Sequence, residues 1–175
     1  MPKPITPLAP QEQMDWLLLR EGLARLVASV APTAKVYERW PLKFEVEQTA
    51  ELLKSYSVAD NGRIHAWIIG IHSAVPYTDR VGGTAIFWDL SVRVWGFIGY
   101  EYGVDSDNPQ NTIENECRKL SQLVFLNRDH LTLDNTQCLK EVGFLEFPEI
   151  DAQGFGRDDI IVAQGELQVK LKEVL

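Results

Sequence analysis

The chain has 175 residues, 45% of them hydrophobic and 24% charged, which is enough apolar material for the core of one ordinary domain. Its formal net charge is −8, and no cluster of lysines and arginines supplies the basic face that a sequence-independent DNA binder needs. Two cysteines, Cys117 and Cys138, are too few for a disulfide framework or a structural zinc site.

The start of the chain and its apolar runs indicate where the protein works. No apolar run of the signal-peptide kind follows Met1, and charges interrupt every apolar stretch before the ~20 residues that a membrane span requires. We therefore expect a protein that folds and assembles in a reducing cytoplasm and has no membrane partner.

The first elements are an arm and a long helix. Four prolines within residues 1–10 exclude helix and central strand, and they predict an extended N-terminal arm. Residues 11–31 repeat apolar side chains at spacings of three and four, which predicts an amphipathic helix ending before Pro32. Residues 35–40 are typical of a short strand near a sheet edge, and residues 47–56 fit a short helix.

Two long strands follow at residues 63–74 and 85–100. The second alternates strictly between apolar and polar side chains, which is the strongest strand signal in the chain. One face is predicted to carry Trp88, Leu90, Val92 and Val94, and the other Asp89, Ser91, Arg93 and Trp95. The connection at 75–84 is too long for a tight turn, so we expect a protruding hairpin loop.

The second half begins with an acidic loop at residues 103–110 and a second amphipathic helix at 111–127. Residues 142–150 resemble a strand, and a loop is expected at 154–159. Residues 160–174 alternate as a closing strand, with Leu167, Val169 and Leu171 inward and Gln168, Lys170 and Lys172 outward.

This order of elements predicts an α+β fold. Adjacent long strands joined by a hairpin favour an antiparallel or mixed sheet of about four to five strands, packed by two main helices. Residues 1–10 form the arm, and residues 11–175 form a single domain.

A search for catalytic motifs finds none, so we expect no enzyme activity and no cofactor. The histidines His65 and His72 are seven residues apart on one predicted strand. An odd spacing places them on opposite faces, so without a bulge they cannot share a metal. Each is expected to be a surface or edge histidine.

One near-motif resembles a calcium loop. Asp105, Asp107 and Glu116 occupy its first, third and twelfth positions, but Pro109 and Gln110 stand at the fifth and sixth, where the sixth should be glycine. We therefore predict no metal site, and we interpret the segment as a solvated acidic loop before a helix N-terminus.

Residues suited to association are more evident than residues suited to catalysis. Phe97, Tyr100 and Tyr102 continue the second long strand past the point where its hydrophobic alternation should end, and there they can either pair with another chain or close the protein's own core. The hairpin loop and the acidic loop are further candidates. The predicted partner-binding residues are Tyr77, Asp79, Arg80, Tyr100, Tyr102, Asp105 and Asp107.

The order, lengths and texture of these elements resemble the tail terminator family of long-tailed bacteriophages, which includes minor tail and tail-completion proteins. The resemblance covers residues 11–174, from the helix ending Leu23-Ala24-Arg25-Leu26-Val27 to the closing strand Glu166-Leu167-Gln168-Val169-Lys170-Leu171. The proline-rich arm and segment 103–110 have no counterpart in that pattern.

The resemblance implies a structural virion protein of the tail and neck, assembled in the bacterial host cytoplasm. Members form a ring, usually a hexamer, on the end of the tail tube. The ring stops tube polymerisation and joins the tail to the head connector, and DNA passes through it without specific binding. Two alternatives stay open: another neck or head-completion adaptor, and a cytoplasmic small-molecule-binding or enzymatic α+β domain.

Overall fold

The computed structural model describes residues 14–38, 64–77, 85–100, 109–132, 138–155 and 158–174. Helix α1 spans Met14–Val30 and is followed by strand β1 at Lys35–Tyr37. The long strands are β2 at His65–Tyr77 and β3 at Ala85–Tyr100. Helix α2 spans Pro109–Leu126, and a short 3-10 helix follows at Arg128–His130. Strands β4 (Leu139–Val142), β5 (Glu146–Phe155) and β6 (Asp158–Val174) complete the described elements.

The strands form one mixed six-stranded sheet in the described part of the chain. The strand order is β1-β2-β3-β6-β4, and β5 also pairs with β6. Among the pairs of described strands, β1–β2 is parallel and the others are antiparallel. The prediction of an α+β fold with a mixed sheet is confirmed. The described sheet has six strands because the segment predicted as one strand at 142–150 is interrupted at residues 143–145. The interruption separates β4 from β5, and both pair with β6.

Several predicted boundaries shift. Strand β2 continues through Tyr77, so the segment between the long strands is 78–84 and not 75–84. Among the described residues, the outer side of β2 is paired only at residues 66–68, so Pro76, which has no N–H to donate, lies beyond that pairing. The predicted loop at 154–159 is wrong, because β5 and β6 extend to pair Phe155 with Asp158. The expected arm at 1–10, the helix at 47–56 and the acidic loop at 103–108 lie outside the described residues.

The helices pack on one face of the sheet, as the alternation of side chains requires. Even-numbered residues of β3 and odd-numbered residues of β6 face α1 and α2, which confirms the orientations predicted for both strands. A bulge in β2 between Ile71 and Ser73 reverses the alternation of that strand around His72. The main core includes Leu19, Leu23, Val27, Ile113, Cys117, Leu120, Val124, Trp67, Leu90, Val92, Val94, Leu167, Val169 and Leu171.

A smaller apolar cluster occupies the opposite face of the sheet at one end. It contains Ile64, Ile68, Phe97, Ile160 and Val162, all buried. The middle of the same face is polar, as shown by the hydrogen bond from the Ser91 hydroxyl to Glu166 at 2.7 Å.

Two glycines make room for aromatic rings on the helix-facing side of the sheet. A Cβ at Gly96 would lie 2.7 Å from the Trp67 ring, and one at Gly165 would lie 2.6 Å from the Phe147 ring. The two rings meet edge to face with centroids 6.0 Å apart. Because neither glycine has a Cβ, the rings can lie against the sheet and fill the space between it and the helices.

Candidate interaction surface

Tyr77 lies within the sheet and not in a loop, which corrects its predicted position. It is the last residue of β2, and its ring stacks on Phe87 of β3 with centroids 5.5 Å apart and planes at 29°. Val75, on the same face of the strand, exposes 58% of its surface. We call Val75, Tyr77 and Phe87 the tip surface.

The other predicted partner-binding residues are placed only in part. Tyr100 ends β3 opposite Asp159 of β6. Asp79, Arg80, Tyr102, Asp105 and Asp107 lie outside the described residues. Phe97, on the same predicted strand end as Tyr100, is buried in the smaller apolar cluster and belongs to the chain's own core.

A more exposed aromatic surface lies where α2 ends, beside the gap between β4 and β5. Phe125 and Phe144 stack nearly parallel, with centroids 5.3 Å apart and planes at 9°. The guanidinium of Arg128 lies 4.9 Å from the centroid of the Phe125 ring. Phe144 is 67% exposed and Leu126 73% exposed. We call these four residues the aromatic edge surface.

The positions of the core residues explain why these aromatics face solvent. Helix α2 packs through Ile113, Cys117, Leu120 and Val124, so Phe125 is turned away from that stripe. On the sheet side, the Gly143 amide donates to the Gln168 carbonyl at 2.8 Å, and Leu145 is buried. The side chain of Phe144, between them, is directed outward.

A direct bond holds the two halves of the aromatic edge surface together. The Ser121 hydroxyl of α2 donates to the Leu145 carbonyl at 2.8 Å. Because this bond fixes the helix end against the β4–β5 gap, the stacked rings form a preorganised surface. Large apolar side chains held rigidly in contact with water are typical of sites that bind another protein.

Little in the sequence indicates this surface. Phe125 and Leu126 lie within the predicted helix, and Phe144 lies within a segment predicted to be one strand. The useful signal is Gly143, because a glycine inside a strand pattern marks an interruption.

The most chemically elaborate cluster is buried between the two layers. The Glu116 carboxylate, on α2, accepts hydrogen bonds from the Trp67 indole at 3.2 Å and from Nε2 of His65 at 3.0 Å. Nδ1 of His65 lies 3.4 Å from the Thr33 hydroxyl, just after α1. The expectation that His65 is a surface or edge histidine is wrong, because its side chain is only 14% exposed.

The donors around Glu116 define its role. The Nε2 edge of the His65 ring is directed at the carboxylate, and the Thr33 hydroxyl, which can donate or accept, suits either role of Nδ1. The cluster ties the end of α1, strand β2 and helix α2 together through one carboxylate. The neighbouring Cys117 thiol has its pKa raised to about 12, chiefly by burial and secondarily by the charge of Glu116.

The remaining predictions about ligands concern metals and membranes. Within the described residues, no group of three or more His, Cys, Asp and Glu side chains could hold a metal ion. Glu116, the twelfth residue of the calcium-like pattern, is directed into the protein. None of the described helices is long and apolar enough to cross a membrane.

The chain matches no model of a protein family, and no curated protein matches it.

Proposed function

We propose that this chain is a structural virion subunit of a phage tail. In this proposal, six copies of the chain form a ring that caps the tail tube, stops its polymerisation and joins the tail to the head connector. The observation that carries the proposal is the aromatic edge surface, because rigid exposed rings are suited to binding another protein chain.

The energetics of that surface favour association. Transfer of a large apolar side chain from water into an interface contributes about 1.5–3 kcal/mol when burial is complete. Aromatic residues and arginine are also the commonest anchors of protein interfaces. Phe125, Leu126, Phe144 and Arg128 supply both kinds of side chain on one surface.

The sheet supplies the rigidity that a ring subunit needs. Strands β3 and β6 are 16 and 17 residues long and pair over the whole length of β3. A strand of that length extends about 50 Å, enough to form a continuous wall on one side of the subunit. A net charge of −8 also suits a channel through which DNA passes without being bound.

The proposal is tested by the mass and shape of the purified protein. Light scattering on a sizing column, with negative-stain images of the peak, should give a ring of about six copies with a central hole. If the protein is monomeric, it is mixed with purified tail tubes, and the images are searched for caps at tube ends. If the images show no rings and no capped tubes, that result contradicts the proposal.

A head-completion or neck adaptor is the nearest alternative, and it has the same fold class with a different partner. The tube mixture separates the two functions. A terminator binds tube ends in the absence of heads, whereas an adaptor binds isolated head connectors and leaves tubes uncapped.

A different class, a small-molecule-binding or enzymatic domain, is favoured by one observation. Side-chain contacts align a hydroxyl, an imidazole and a carboxylate, those of Thr33, His65 and Glu116. In this structure the carboxylate also accepts from Trp67 and joins three elements, which is an ample structural role. Hydrolysis of a panel of activated esters that is lost in Thr33→Val and His65→Gln, with folding intact, would favour this alternative.

A further inference from the structure

We draw no further inference here: the strongest candidate, the aromatic edge surface where α2 ends beside the gap between β4 and β5, carries none because nothing in the described part of the structure shows which chain covers its exposed side chains.

Discussion

At the scale of single residues, the internal anchor at Glu116 depends on a carboxylate that two donors share. Glu116→Ala leaves the Trp67 indole and His65 without their acceptor, and an unsatisfied buried polar group costs about 1–3 kcal/mol. We expect Glu116→Ala to lower the free energy of unfolding by about 2–4 kcal/mol, and Glu116→Gln, which keeps an acceptor oxygen, by roughly half as much. Urea denaturation measures both.

Glu114 provides the matched control for that experiment. It stands on α2 two residues before Glu116 and is exposed to solvent. Its carboxylate accepts a hydrogen bond from the Gln110 side chain on the same helix. Glu114→Gln should change stability by less than about 0.5 kcal/mol. Equal effects at the two positions would contradict the anchoring role of Glu116.

The buried thiol of Cys117 makes stability depend on pH in the alkaline range. Its pKa is raised from 9.0 to about 12 in the folded protein, so folding retains a proton that the unfolded chain releases. The resulting stabilisation is complete below pH 9 and is lost as pH rises toward 12, at up to about 1.4 kcal/mol per pH unit. Because lysines and tyrosines also titrate there, the measurement is a difference between wild type and Cys117→Ala.

Wild type should lose stability more steeply than Cys117→Ala between pH 9 and about 10.5, the part of that range where the fold is easiest to keep intact. Chemical denaturation at matched pH values gives the two slopes. Parallel slopes would mean that the thiol ionises as readily in the folded protein as in the unfolded chain.

At the scale of elements, α1 approaches the segment after α2 so closely that only glycine fits. A Cβ at Gly22 would lie 1.8 Å from the carbonyl oxygen of the buried Leu131. Helix propensity alone predicts that Gly22→Ala stabilises the protein by about 1 kcal/mol. We expect the opposite, a loss of about 2–3 kcal/mol, because the backbone of Leu131 has to move.

Thermal and urea unfolding of Gly22→Ala decide the sign of that change. Ala28→Gly, at an exposed position of the same helix, measures propensity alone and should cost about 1 kcal/mol. If Gly22→Ala proves more stable than wild type, the close approach of α1 to Leu131 is not present in solution.

The fit of Phe147 over Gly165 links β5 to β6 and is tested by a double-mutant cycle. Gly165→Ala places a methyl group against the Phe147 ring and should cost about 1–3 kcal/mol. In a Phe147→Ala background the methyl group meets no ring, so the cost should fall to a small fraction of that value. Additive losses would contradict the contact.

At the scale of the whole molecule, association and folding depend on different residues. Phe144 is 67% exposed, so Phe144→Ser removes little more than its stacking with Phe125 and should lower stability by about 1 kcal/mol or less. The same change should shift the protein toward monomer, measured by sedimentation velocity over a range of concentrations. Arg25→Ser, exposed on α1, is the control that should leave association unchanged.

Much of this molecule was determined by the sequence itself, because local patterns specify local structure. The alternation of Trp88, Leu90, Val92 and Val94 predicted the bounds of β3 and the face directed at the helices, and both are confirmed. The three-and-four spacing of Leu19, Leu23 and Val27 likewise predicted the buried stripe of α1. These patterns need no knowledge of which element lies next to which.

Tertiary structure alone decided which residues from distant segments meet. Glu116 lies 51 residues from His65 and 49 from Trp67, and nothing in local spacing indicates that one carboxylate serves both. Phe125 and Phe144 stack only because Ser121 holds the end of α2 at the gap between β4 and β5. Strand order and helix placement follow from packing the whole chain, so these contacts, and the surface they create, could not be predicted from periodicity.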